Sequence, residues 1–162
     1  MDTAYKTTLE LDKVLARAVQ LCACQETKEM MQALEPAPTI EDERYDLAQT
    51  NAINALLIKN GSPRFGSVRE VRRIVAHARK GGILSMGELL EIAATLRNFS
   101  GLSQWYGLSE HEMLPTDDLF FSLAPQPVLE KQISESILSP EEMADTASVT
   151  LHDLRRKIRQ TE

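Results

Sequence analysis

The sequence predicts an all-α protein, an irregular helical bundle whose final helix runs on as a rod. Three observations carry that expectation. Apolar residues recur with a period near 3.6 along most of the chain, the spacing that gathers them on one helix face. Helix start and stop signals punctuate the pattern. No stretch of four or more residues alternates apolar and polar as a half-buried strand requires.

The elements follow in order. Leu11, Val14, Leu15, Ala18 and Cys22 fall on one stripe of a first helix. A second, short helix is expected from about Gln25 to Leu34, with Met30, Met31 and Leu34 inward. Glu35-Pro36-Ala37-Pro38 stops it, because a residue before proline avoids the α region. Thr39 is placed as the N-cap of a third helix, with Glu41, Asp42 and Glu43 where the helix dipole favours acids. Tyr45, Ala48, Ala52, Ala55 and Leu56 line that helix, Ile53 and Leu57 widen its stripe towards a second neighbour, and Asn60-Gly61 ends it. After a loop from Ser62 to Ser67, a fourth helix is expected from about Val68 to Arg79, with Val68, Val71, Val75 and Ala78 inward and a left-handed cap at Gly81-Gly82. Ser85-Met86-Gly87-Glu88 is a capping box. It opens the longest helix, on which Leu89, Ile92, Ala93, Leu96 and Phe99 align and which Gly101 is expected to fray or kink before Trp105-Tyr106-Gly107. The stretch from Leu108 to Pro127 holds three prolines and reads as irregular, and Leu129, Ile133 and Ile137 mark a further short helix. Finally, Ala147, Leu151, Leu154 and Ile158 step by four, three and four, the a/d spacing of a coiled coil. Arg159-Gln160-Thr161-Glu162 offers no cap, which reads as a helix cut mid-course. The expected organisation is a helical core over 1–140 and the start of a lever-like helix over 141–162.

Composition bounds the function. The chain has 162 residues, 43% apolar and 26% charged, which suits one globular domain with at most a small appendage. Aromatics make up only 5%, so the core must be aliphatic. The formal net charge is −6, so the chain is no general polyanion binder and any nucleic-acid contact must come from a local basic patch. No apolar run approaches a membrane span, and the N-terminal stretch lacks a secretory pattern, so a cytoplasmic protein is expected.

Motifs for chemistry are scarce. Cys22 and Cys24, two apart in an expected helical run, would point to opposite faces and act as small packing thiols. Gly61 to Ser67 has two glycines at phosphate-loop separation, but Ser67 stands where the lysine belongs and no strand precedes it. His77, His111 and His152 lack metal-site spacing, Ser109-Glu110-His111-Glu112 is not a zinc signature, and all three histidines default to the surface. Glu141-Glu142 and Glu110/Glu112 lie in polar stretches without the walled pocket that splits carboxylate pKa values. No catalytic, cofactor or metal residue is therefore assigned.

The cations are more informative. Six of eighteen Lys and Arg fall between residues 64 and 80: Arg64, Arg69, Arg72, Arg73, Arg79 and Lys80, opposed only by Glu70. Arg155, Arg156, Lys157 and Arg159 form a second cluster on the last helix. Arg69, Arg72 and Arg73 are expected on one face of the fourth helix, opposite Val71 and Val75. The candidate nucleic-acid residues are Arg69, Arg72, Arg73, Arg79, Lys80, Arg155, Arg156, Lys157 and Arg159; the plain alternative is a solvated or acid-paired face, or a coiled-coil flank for the last helix.

Several stretches in order carry a family resemblance. They are Leu9-Glu10-Leu11-Asp12-Lys13-Val14-Leu15, Leu34-Glu35-Pro36, Val71-Arg72-Arg73-Ile74, Ala78-Arg79-Lys80-Gly81-Gly82-Ile83-Leu84-Ser85, Glu88-Leu89-Leu90-Glu91-Ile92, Leu96-Arg97, and the run from Asp145 to Ile158. Together they resemble the N-terminal region of the bacterial MutS paralogue family, the second MutS family, which carries a C-terminal Smr nuclease domain. The resemblance spans nearly the whole chain, poorest from Ser109 to Pro127. It implies a MutS core and lever-type fold, in a homodimeric ATPase and endonuclease that clamps double-stranded or branched DNA. It also implies roles in mismatch-repair-like DNA handling, in suppression of recombination, and in ribosome quality control with rRNA contact. ATP and magnesium would bind beyond residue 162, as would the nuclease, so this chain would hold no cofactor and catalyse nothing. The expected function is a core and lever-base scaffold linking the ATPase to the clamp; the alternative is a stand-alone helical interaction module.

Overall fold

A computed structural model describes residues 8–64, 66, 69–108 and 110–161. It is all-α apart from one small hairpin, with eight α-helices among the described residues. No helix among them is long and apolar enough to cross a membrane. The chain divides into two compact units, Met1–Pro63 with Tyr106–Phe121, and Arg64–Trp105 with Ser122–Glu162.

The first unit holds helices α1 (Leu11–Leu21), α2 (Gln25–Gln32), α3 (Ile40–Asn60) and α6 (Asp117–Phe121). On α1, Leu11, Leu15, Ala18 and Val19 turn inward, while Val14 is exposed. The helix stops at Leu21, so the two thiols are not in a helical run: Cys22 is its C-cap and Cys24 the N-cap of α2. Both are free; Cys22 Sγ lies 3.5 Å from the Ala18 carbonyl oxygen and Cys24 Sγ 2.9 Å from Thr27 Oγ1. Helix α2 closes at Gln32, two residues short of the expected Leu34, because the proline segment draws the chain out of the α region. Met31 faces in, whereas Met30 and Leu34 are exposed.

Helix α3 forms as its caps dictate. Thr39 Oγ1 accepts from the Asp42 N–H at 3.1 Å, and Gly61 ends the helix at φ 73°. Leu56 is its buried residue, Ala48, Ala52 and Ile53 are half-buried, and Tyr45, Ala55 and Leu57 are exposed. The Tyr45 hydroxyl and Gln49 Nε2 both donate to the Pro115 carbonyl, at 3.2 and 3.0 Å. They tie the proline-rich stretch to α3.

The second unit holds α4 (Arg72–Arg79), α5 (Met86–Tyr106, whose last residue belongs to the first unit), α7 (Pro127–Ser136), the hairpin β1 (Ile137–Ser139) and β2 (Glu142–Met143), a 3₁₀ turn (Asp145–Ala147) and α8 (Val149–Thr161). Its core joins Ala93, Ile133 and Ile137, packed by Met86, Leu89, Leu90 and Ile92. Both signals at the start of α5 are formed. Gly81, at φ 81°, donates to the Ala78 carbonyl and Gly82 to that of His77, a Schellman closure of α4. Ser85 and Glu88 exchange backbone N–H bonds of 2.8 and 3.3 Å, and the Ser85 N–H bond leads the causes that lower the Glu88 carboxyl's pKa. Gly101 does not end α5, which continues to Tyr106.

Two further expectations are corrected. Ile137 does not extend α7; it turns to φ −123°, ψ 116° and starts β1, antiparallel to β2 in the register Ile137 with Met143. Pro140 lacks the N–H a continuing helix needs and drives Ser139 from the α region, so the chain reverses instead. Leu129 is exposed. Ala147 lies in the 3₁₀ turn, ahead of α8, which Ser148 caps by accepting from the Leu151 N–H at 3.1 Å. Only Leu151 of the a/d residues within that helix is half-buried.

Candidate nucleic-acid interface

Helix α4 begins at Arg72, not near Val68; Phe65, Ser67 and Val68 lie outside the described residues. Its buried residue is Ile74, at 8% exposure, with Val71 half-buried before it, while Val75 is 43% exposed and Ala78 exposed. The inward line is thus Val71–Ile74, not Val71–Val75. Arg69 precedes the helix and does not share a helical face with Arg72 and Arg73.

At 100° per residue Arg72 and Arg79 lie on one line opposite Ile74, and Arg73 and Lys80 lie on the next, with His77 between that line and Ile74. Arg69, Arg72, Arg73, Arg79 and Lys80 are all exposed, and none has a carboxylate at ion-pair distance among the described residues. No acid stands in the first turn of α4, and its N-cap Val71 has no capping side chain. Arg72 and Arg73 therefore sit at the positive end of the helix dipole with Glu70, just ahead of the N-cap, as the one acid beside them in the sequence, an arrangement in which an external anion is favoured. Arg79 and His77, in the last turn, sit where the dipole favours cations. The eight residues of α4 span roughly 10 Å, about three phosphates along one strand of a duplex.

The second cluster behaves differently. Arg155 Nη1 pairs with Asp145 Oδ1 and donates to the Met143 carbonyl at 2.9 Å. Arg159 Nη2 holds Asp145 Oδ2 at 2.5 Å. The two guanidinium groups, Arg155 first, hold the Asp145 carboxyl below its ordinary pKa. Arg156 and Lys157 are exposed and have no carboxylate partner among the described residues.

Other candidates acquire definite places. Of the stretch Gly61 to Ser67, Phe65 and Ser67 lie outside the described residues, and the next described helix, α4, starts only at Arg72. No group of three or more His, Cys, Asp or Glu among the described residues could hold a metal. Glu110, Glu112, Glu141 and Glu142 are exposed; Ser109 lies outside the described residues. His77 and His152 are exposed, but His111 is half-buried, its ring 4.8 Å edge-on to Tyr106.

The Tyr106–His111 pair belongs to a buried knot which the sequence did not reveal. Tyr106, 3% exposed, stacks on Phe120 at 3.9 Å and donates to Asp117 Oδ1 at 2.6 Å. With its proton so directed, its oxygen accepts from the buried Thr116 hydroxyl at 2.8 Å. Asp117 Oδ2 accepts from the Leu114 N–H at 3.1 Å. Burial first, then the bond to Asp117, pushes the Tyr106 phenol's pKa up; the Tyr106 hydroxyl first, then the Leu114 N–H and the nearby His111, pulls the Asp117 carboxyl's down. The polar groups of the knot satisfy one another, so it ties Tyr106 to Leu114, Thr116 and Asp117.

Comparison with known proteins places the chain among relatives. The Ruminiclostridium cellulolyticum protein named Endonuclease MutS2 is 31% identical over 162 residues, covering 99% of this chain and 20% of that protein. The chain is homologous to Endonuclease MutS2. The Clostridium beijerinckii protein of that name is 29% identical over 154 residues, 94% of this chain and 20% of its own length. That of Acetivibrio thermocellus is 30% identical over 157 residues, 93% and 19%. The chain thus spans about a fifth of the length of these MutS2 relatives. No family model matches it, and no solved structure does.

Proposed function

We propose that this chain is the N-terminal helical core and lever base of a MutS2-type protein, and that it meets nucleic-acid phosphates through Arg69, Arg72, Arg73, Arg79 and Lys80. The single observation that carries the reading is homology to Endonuclease MutS2 along almost the whole chain. The exposed cations around α4 supply the chemistry, because Arg and Lys that hold no carboxylate at ion-pair distance are the groups that displace counterions from a phosphate backbone. In this reading the segment is mechanical. ATP and magnesium, and the nuclease, belong to other parts of a homodimeric protein, and packed helices relay nucleotide-driven movement to arms that hold DNA. Ribosomal RNA presents the same phosphates and is the other ligand of this reading, in a cytoplasmic protein engaged in ribosome rescue. The pieces 1–140 and 141–162 then act as core and lever start.

The test is charge reversal. Arg72→Glu with Arg73→Glu in the whole protein weakens binding to a DNA duplex and lowers the slope of log affinity against log salt by about 0.9 for each phosphate that the variant no longer neutralises. Equal affinity and slope in the variant and the parent across a salt series remove α4 from the interface.

A further inference from the structure

Asp145 is placed between two of the cations that the last helix offers. Its carboxylate is gripped through both oxygens, Oδ1 by Arg155 and Oδ2 by Arg159, one helical turn apart on α8. Arg155 also reaches the Met143 carbonyl of the hairpin. Little else holds the helix in place. Val149, Leu154 and Ile158 are 81%, 53% and 59% exposed, and Leu151 is only half-buried. The docking of α8 onto the hairpin and 3₁₀ turn is therefore mainly ionic, whereas α5 and α7 meet through the buried Ala93 and Ile133. An ionic dock between side chains open to water is weak, screened by salt, and exchangeable for another anion. The Asp145 side chain is about one third exposed, so a competitor can reach the same guanidinium groups.

We propose that Asp145 is an internal latch that mimics a phosphate: it docks the last helix and keeps Arg155 and Arg159 out of the binding surface until a phosphate-bearing polyanion takes its place. The ligand class rests on the reading given under Proposed function; the latch itself rests on the geometry alone. Two states follow. In the docked state Asp145 fills both guanidinium groups and the direction of α8 is fixed. In the released state the same two groups grip phosphates, joining Arg156 and Lys157, and α8 is free to turn about Ser148. Nucleic-acid binding at this cluster and movement of the last helix become one event.

The experiment compares the 162-residue chain with Asp145→Asn, which keeps the shape and removes the charge, and with Asp145→Glu, which keeps the charge. Without ligand, amide hydrogen exchange across 149–161 is expected to be roughly three- to tenfold faster in Asp145→Asn, unchanged in 86–105, and near the parent in Asp145→Glu. Inorganic tripolyphosphate is expected to speed the same amides in the parent and to leave Asp145→Asn as it was. With a fluorescent DNA duplex, Asp145→Asn is expected to bind more tightly, with a salt slope steeper by about 1 to 2. Equal exchange in the parent and Asp145→Asn overturns the latch. Faster exchange with no response to tripolyphosphate leaves a brace and overturns the phosphate mimicry. If the latch tests succeed while neither protein binds duplex, the nucleic-acid reading fails and the latch stands with a free polyphosphate as its ligand.

Discussion

Tyr106 shows how much one side chain decides. Its ring fills the gap between Phe120 and His111, and its hydroxyl joins Thr116 to Asp117. Tyr106→Phe keeps the ring but leaves the buried Thr116 hydroxyl without its acceptor and Asp117 Oδ1 without its donor. A loss of about 1–3 kcal/mol is expected, read as a lower melting temperature; an unchanged melt contradicts the role given to the knot. The pH dependence follows from the two shifts. The phenol's folded pKa is raised, so its contribution is complete below the ordinary tyrosine range and is lost as pH rises through the folded value. The Asp117 carboxyl's is lowered, so its contribution is complete above the ordinary carboxylate range and is lost as pH falls through the folded value. Melts from acid to alkaline pH should show both limbs in the parent and weakened limbs in Tyr106→Phe. None of this was legible in the sequence. The knot joins residues ten and eleven positions apart across an irregular stretch, and no periodic pattern marks such a pair.

At the scale of elements, the local signals were readable because their causes are local. Thr39, Gly61, Gly81 and Ser85 each act within about four residues, and each stands at the boundary its chemistry predicts. Gly81→Ala forces a side chain into the left-handed region and should cost about 1–2 kcal/mol. Ser85→Ala removes a cap and should cost about 0.5–2 kcal/mol. Denaturant midpoints measure both, with m unchanged; a midpoint equal to the parent's in either variant contradicts the turn described. Gly82 adds a steric reason of its own, since a Cβ there falls 2.2 Å from His77 Nε2 and displaces the imidazole. Which face of a helix turns inward was less readable. On α4, Val71, Ile74, Val75 and Ala78 cover a broad apolar arc, and only tertiary packing selects Ile74. The same holds on α8, where the a/d spacing is present but Leu154 and Ile158 remain exposed. The Asp145 latch escaped the sequence because it spans ten and fourteen residues through a hairpin and a 3₁₀ turn.

For the whole molecule, charge distribution carries the functional argument. A chain of net charge −6 repels polyanions in general, so contact must be confined to its few basic stretches. Those stretches fall around α4 and on α8, both in the second unit. The first unit is ordered by packing and by the Tyr106 knot, and its variants should leave duplex affinity unchanged. The ordered motifs of the sequence pointed to the MutS paralogue family, and homology to Endonuclease MutS2 agrees with them. The most direct test of the central claim is lysine footprinting of the whole protein with and without a saturating DNA duplex. The account predicts that Lys80 loses reactivity on binding while Lys131, exposed on α7 beside Glu135 at 3.7 Å, keeps it. Duplex binding that leaves Lys80 as reactive as Lys131 contradicts it.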